Sequence, residues 1–236
     1  MKVSVIIPTY NEENYIKNCI LALRNQDYKG EYEIIVSDSN SKDNTVKIAK
    51  KFADKVVVCE KRGIAIGRNF GAKVANGKIL IFVDADTIAM PNLISEFYKI
   101  LKNKGVACVT CPILPLSTEF QHLTFFKFVN LFTRFSILSR RPQVFGVCCG
   151  YKRYYFERVR GFDEKLKTCE DLDLSSRIAK YGRIVFTNNT FVITSVRRIK
   201  KWGVIKSIKK YALNYFNHIM YNREFTLKEY RPIRNV

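Results

Sequence analysis

The sequence predicts an α/β fold, a mostly parallel central sheet with helices on both faces, and three observations carry that expectation. Short apolar runs rich in β-branched residues alternate with segments whose apolar positions recur every three or four residues, four times over through about residue 104. The runs lack polar alternation, as strands buried on both faces do. Several of them end in polar or acidic residues, at the edge where open parallel sheets bind their ligands.

Val3 to Ile7 is the first such run, and Pro8 is expected to stop it. Thr9, Tyr10 and Asn11 follow as a polar loop, with Asn11 placed to cap a helix carrying Ile16, Cys19, Ile20 and Leu23. Tyr32 to Val36 is a second strand, running into the polar stretch Ser37 to Thr45, where Ser41 or Asp43 can cap the next helix. Asp38 has no capping duty and sits at the strand tip. Lys55 to Cys59 is a short third strand, followed by Gly63, Gly67 and Gly71 at intervals of four. That spacing is not the dinucleotide fingerprint, and close helix packing explains it better. Arg68 and Asn69 lie on this helix, where an arginine can reach a phosphate or stay solvated.

Ile79 to Val83 is the central strand, and Asp84, Ala85 and Asp86 follow it. Two carboxylates at the tip of a buried strand offer hard oxygen ligands to a divalent cation carrying phosphates. The same acids could instead cap the helix expected after Pro91, whose buried face is Ile94, Phe97, Tyr98 and Leu101. Val106 to Leu114 is another strand candidate. Leu123 to Leu138 is crowded with Phe125, Phe126, Phe128, Phe132 and Phe135 around most of a helix circumference, so core burial is the expectation ahead of a membrane-facing surface. Val144 to Cys149 reads as a strand ending at Gly150, and Tyr154 to Arg160 as a short helix. A helix starting near Glu170 places Glu170 and Asp171 in its first turn, where acids complement the dipole whatever else they do. Residues 183 to 195 form one or two strands. From Trp202 onward Ile205, Ile208, Ala212, Tyr215 and Ile219 mark a basic amphipathic helix, suited either to packing on the domain or to lying on a bilayer.

Composition narrows the class. At 236 residues and 47% hydrophobic, the chain fits one large domain. No run reaches the roughly 18 apolar residues of a membrane span, and no charged-then-apolar leader precedes the first strand, so a cytoplasmic protein is expected. Seven irregularly spaced cysteines read as reduced thiols, with Cys148 and Cys149 facing opposite sides of a strand. The formal charge of +20 predicts attraction to a polyanion, and composition does not choose among a phosphorylated ligand, an anionic membrane and nucleic acid.

Five segments in order carry a resemblance: VSVIIPTYNE at 3 to 12, IIVSDSNSKDNT at 34 to 45, GRNFGA at 67 to 72, IFVDADT at 81 to 87, and RGFDEKL with EDLDLSSR between 160 and 177. The chain resembles the family 2 glycosyltransferases, inverting enzymes of the GT-A fold that use nucleotide-diphosphate sugars, over residues 1 to about 187. The resemblance implies that Pro8, Thr9, Tyr10, Asn11 and Glu12 line the nucleotide pocket with Asp38 at the base. Ser39 stands where many members carry a second acid. It further implies Asp84 and Ala85 near the ribose and diphosphate, Asp86 as ligand of a Mg2+ or Mn2+, and Arg68 organising the same pocket. Asp171 is implied as general base with Glu170 its neighbour in the acceptor site.

Residues 1 to 196 are then the catalytic domain, with 1 to 104 the donor half, 105 to 196 the acceptor half and 197 to 236 a basic helical extension. The implied donor is a UDP-sugar first, a GDP- or dTDP-sugar second. The acceptor is a glycan or a lipid-linked precursor, and the basic stretches at 197 to 210 with the aromatic segment at 123 to 138 suggest an enzyme peripheral to the inner face of the membrane. Two rivals stand beside this reading. A nucleotidyltransferase also uses strand-tip acids and a metal, but Pro8 to Asn14 lacks the glycine-rich loop such enzymes need. A basic nucleic-acid-binding protein explains the charge but leaves the strand-tip acids repelling phosphates; no nucleic acid is expected.

Overall fold

The computed structural model describes residues 2–221, with side chains through Leu213. In chain order the elements are β1 (Val3–Thr9), α1 (Ile16–Arg24), β2 (Tyr32–Asp38), α2 (Thr45–Ala49), β3 (Lys55–Val58), α3 (Ile64–Val74), β4 (Ile79–Val83), β5 (Thr87–Ala89) and α4 (Leu93–Leu101). The second half continues with β6 (Val106–Thr110), β7 (Ile113–Pro115), α5 (Phe120–Leu138), β8 (Cys148–Lys152), α6 (Arg153–Arg158) and α7 (Glu170–Ile178). It closes with β9 (Arg183–Phe186), β10 (Val192–Thr194), α8 (Arg197–Trp202) and α9 (Val204–Tyr221).

Seven strands form one sheet in the order β3-β2-β1-β4-β8-β6-β9, parallel except for β8, which runs against both β4 and β6. The alternation of side chains along each strand feeds two cores. Val3, Val5 and Ile7 of β1 join Ile79, Ile81 and Val83 of β4 beneath α1 and α4, while Ile6, Leu80 and Phe82 meet α3, α6 and α7 on the opposite face. The expected mostly parallel, doubly covered sheet is the one observed. Cys148 and Cys149 fall in opposite cores, and all seven cysteines are free thiols.

Several local expectations shift. Pro8 does not end β1, which continues to Thr9. Pairing with β4 stops at Ile6, so beyond it the strand has a free side where a missing N–H costs nothing. Asn11 caps no helix: it adopts a left-handed φ of 54°, and α1 begins only after Tyr15. Its side-chain oxygen accepts from the Lys42 N–H at 2.8 Å, tying the first loop to the second. Asp43 does serve the start of α2, accepting from the Thr45 N–H at 3.0 Å.

Gly150 lies in the middle of β8 rather than at its end, because a Cβ there would come within 2.8 Å of the Phe97 ring. Residues 144 to 147 are accordingly a loop. Gly67 and Gly71 let α3 approach the sheet, where added Cβ atoms would press on Ser39 and Ile6. A second, small sheet in the order β5-β10-β7, absent from the sequence reading, lies beyond the Asp86 turn.

The helix α5 divides its aromatics. Phe125 and Phe126 are buried, but Phe128 and Phe135 are 61% and 67% exposed, so core burial holds for only part of it. The stripe expected on α9 also faces outward: Ile205, Ile208 and Ala212 are exposed, whereas Ser207 is buried and Tyr211 stacks near Phe125. The side chains of Tyr215 and Ile219, and all of 222–236, lie outside the described residues.

Candidate active site

The β1 and β2 tips form one wall. Thr9 and Asp38 sit opposite each other in the parallel pair, and the Thr9 hydroxyl donates to Asp38 Oδ1 at 2.9 Å. The Ser41 N–H donates to Asp38 Oδ2 at 2.7 Å, so this fully buried carboxylate orders the polar loop that follows it. Pro8 is buried beneath, Ser39 donates its N–H to the Thr9 carbonyl at 2.8 Å, and Tyr10 carries the Arg62 guanidinium 4.9 Å above its ring. This wall gathers Pro8, Thr9, Tyr10, Asn11, Asp38 and Ser39 from the ends of two strands and the loops that follow them.

Arg68 stands at the centre. It projects from α3, is 3% exposed, and donates to Glu170 Oε1 at 2.6 Å, to Asp84 Oδ1 at 3.0 Å and to the Gly146 carbonyl at 2.9 Å. The guanidinium lies 5.2 Å from the Phe162 ring centre. Burial alone would lower its pKa, but Asp84, Glu170 and Asp171 hold it well above the ordinary value and keep it charged. A single cation thus joins the tip of β4 to the first turn of α7.

Asp171 is the neighbour of that contact. Its Oδ2 accepts from the Gly146 N–H at 2.6 Å and its Oδ1 from the Leu172 N–H at 2.8 Å. Burial pushes its pKa above the usual aspartate range, with Arg68 and the two backbone donors opposing. Glu170 is also raised, by burial and by the charge of Asp171. Cys169, immediately before the pair, holds a left-handed φ of 61°, a costly conformation for a residue with a Cβ.

Asp86 faces a different cation. Arg197, the first residue of α8, donates to Glu12 Oε2 at 2.7 Å and Oε1 at 2.9 Å, and lies 3.1 Å from Asp86 Oδ2. Its guanidinium rests 4.8 Å from the Tyr15 ring centre. Burial raises the pKa of Asp86, Arg197 counters it and Asp84 adds to it. Glu12, 3% exposed, therefore belongs with Asp86 and Arg197. Ala85 turns its methyl into the core and sets the spacing between the two acids.

Among the described residues no three His, Cys, Asp or Glu side chains form a closed cage for an ion. A Mg2+-like ion needs none, since it takes one or two carboxylates and completes its shell with waters and substrate phosphates. Asp86, already facing a cation, with Asp84 two residues before it, fits that donor set.

Three contributors were not legible beforehand: Arg197, hidden in a run of basic residues; the Gly146 backbone; and Phe162 under Arg68. Only Phe162 left a trace, as part of the RGFDEKL segment that carries the resemblance; at Gly146 a Cβ would strike the Arg68 guanidinium, a constraint visible only in the fold.

The fold matches that of known proteins. A glycosyltransferase of Rickettsia typhi, described as uncharacterized, is 29% identical over 204 residues, 82% of this chain and 64% of that protein. The crystal structure of Staphylococcus aureus TarS residues 1–349 in complex with UDP-GlcNAc has a TM-score of 0.68 at 24% identity, covering 83% of this chain and 58% of that one. The mannosyltransferase PcManGT of Pyrobaculum calidifontis, in complex with GDP-Man and Mn2+, has a TM-score of 0.67 at 24% identity, covering 89% of this chain and 64% of that one. The chain spans less than two thirds of the length of each. The profile of glycosyl transferase family 2 matches residues 4–160, with the β1, β2 and β4 tips and Arg68 inside it, and the chain belongs to that family.

Proposed function

We propose that the chain is an inverting glycosyltransferase in which Asp171 takes the proton of an acceptor hydroxyl as its oxygen attacks the anomeric carbon of a nucleotide-diphosphate sugar. Attack comes from the face opposite the departing diphosphate, so one base on one face inverts the configuration. The observation that carries this reading is Arg68, which binds Asp84 and Glu170 at once and so brings the acidic strand tip and the acidic helix turn into one site. Glu170 is committed to that guanidinium and acts as a positioning group. Asp171 receives only backbone donors on its two oxygens and keeps lone pairs for a hydroxyl proton. Its raised pKa makes it a stronger base once ionised.

The nucleoside end is assigned to the wall of Pro8, Thr9, Tyr10, Asn11, Asp38 and Ser39, and the diphosphate to Asp84, Ala85 and Asp86. Mg2+ or Mn2+ would be held by Asp86, with Glu12 and Arg197 beside it, and would supply positive charge to the diphosphate leaving group. Binding of UDP-GlcNAc and of GDP-Man with Mn2+ by the two structural neighbours supports donors of this class. We take a UDP-sugar first and a GDP- or dTDP-sugar second. On the same reading residues 1 to 104 are the donor half, 105 to 196 the acceptor half, and the acceptor is a glycan or lipid-linked precursor on the cytoplasmic face of the cell membrane.

A thermal-shift screen of nucleotide sugars with Mn2+ finds the donor, because a ligand specific for the native state raises its melting temperature by mass action. With that donor, Asp171→Asn is expected to lower transfer by at least about a hundredfold while the donor-induced shift persists. Turnover near the wild-type rate would remove Asp171 from its role. Asp86→Asn is expected to abolish the Mn2+ dependence of donor binding, and an unchanged metal titration would dismiss Asp86 as ligand.

A further inference from the structure

Among the described residues, the outer face of α5 is apolar and exposed. Phe120, Phe128, Leu131, Phe135 and Leu138 are between 61% and 82% exposed. At about 100° per residue these five fall within an arc of about 80°, diametrically opposed to the buried His122, Phe126 and Thr133. The helix is amphipathic toward its own domain and carries a second apolar stripe toward solvent.

Cations border that stripe on both sides. Lys127 and Arg134 follow one edge. Gln121, on the other edge, shares a groove with Ile205, Lys206 and Lys209 of α9, where Ile205 is 72% exposed. We propose that this face is a bilayer-docking surface: α5 lies parallel to an anionic membrane with its Phe and Leu side chains among the acyl-chain ends and the bordering lysines and arginines at the lipid headgroups. Charge complementarity selects the occupant. A second copy docking by two-fold symmetry would set Lys127 and Arg134 against their own images on a molecule of charge +20, whereas an anionic bilayer supplies the missing negative charge. No described helix is long and apolar enough to cross a membrane, and half of α5 is spent on the core, so the helix lies on the surface.

The position of α5 connects docking to the reaction, a step that rests on Asp171 being the base. From Leu138 the chain passes Arg140 and Arg141 and enters the loop whose Val144 N–H donates to Ser175 Oγ at 3.2 Å and whose Gly146 N–H donates to Asp171 at 2.6 Å. The docked helix therefore leads straight into the loop that orients the base, which suits an acceptor presented by a membrane lipid.

Vesicle flotation of the full chain tests this. The protein is expected to float at low salt with phosphatidylcholine vesicles containing phosphatidylglycerol and to stay behind with phosphatidylcholine alone. The triple variant Phe128→Ser, Leu131→Ser, Phe135→Ser is expected to lose at least about tenfold in bound fraction while melting as the wild type does. Should it fail to fold, Phe128→Trp in a Trp202→Phe background replaces it, with bromolipid expected to quench the new fluorescence. Failure of the wild type to float, undiminished flotation of the folded triple variant, or absence of quenching would each overturn the proposal. So would a wild-type dimer in sedimentation that the triple variant converts to monomer without any vesicle binding. Asp171→Asn is expected to float as the wild type does, so loss of the docking claim and loss of the base assignment are read separately.

Discussion

Glu170 and Asp171 are adjacent acids with different partners, and the partners divide their work. Glu170 meets Arg68 at 2.6 Å, while Asp171 meets only the N–H groups of Gly146 and Leu172. Burial raises Asp171 above the usual range, and a base acts only when ionised. The transfer rate is therefore expected to fall as pH drops through that raised value, with the acid limb of the pH–rate profile above the ~3.9 of a solvated aspartate. A profile flat down to that value would contradict the assignment. By position alone these acids were indistinguishable from dipole complements, because first-turn carboxylates serve any helix, and only the resemblance singled out Asp171. Strand-tip acids such as Asp84 were more legible, since an acid at the end of a buried apolar run has few structural duties. Arg197 was illegible: its value lies in Glu12, 185 positions away, and no local pattern marks such a contact.

The strands are stitched at the edge opposite the site. Glu33, near the start of β2, accepts from the Ser4 hydroxyl at 2.7 Å and the Asn76 N–H at 2.7 Å, and pairs with Lys55 at 2.9 Å. One carboxylate thus ties β1, β2, β3 and the turn into β4 together. Burial alone would raise its pKa, but the donors from Ser4, Asn76 and Lys55 together lower it. Its stabilisation is fully present above the unfolded value of ~4.3 and is lost as pH falls through the lower folded value. Glu33→Gln is expected to cost about 1–3 kcal/mol in urea unfolding at neutral pH and to flatten the loss of stability on acidification. An unchanged acid slope would show that Glu33 is not the group responsible.

Elements whose purpose is local packing were legible: α1 and α4 follow their apolar periodicity, and α3 its glycine spacing. The boundaries of β8 were not, because Gly150 looks like a terminator and is in fact the vacancy into which Phe97 packs. The two-sided α5 misled for a related reason, since periodicity records which residues are apolar and not what covers them.

At the scale of the molecule, six of the seven described strands of the main sheet run one way, and β8, reached after the long excursion through β7 and α5, runs against both its neighbours. That reversal depends on pairing partners far apart in sequence, so the parallel half was readable and the mixed half was not. The reversal also brings the Gly146 loop back to Arg68, and the later return through β10 delivers Arg197 to Glu12 and Asp86. The loop after β1, the turn after β4 and the start of α8 meet on one guanidinium, 12% exposed between two acids that are 3% and 14% exposed. Removing that charge takes from two largely buried carboxylates the guanidinium they share, a change that costs about 3–5 kcal/mol when no other cation takes its place. Arg197→Gln is therefore expected to lower stability by that amount in metal-free buffer and to recover part of it with Mn2+. Its affinity for Mn2+ without donor, read by calorimetry, is expected to rise at least about tenfold, a gain of ~1.4 kcal/mol. Because both readouts use the donor-free protein, they test the electrostatics of the site independently of turnover. A variant that melts and binds Mn2+ as the wild type does would mean that Arg197 does not neutralise this pair.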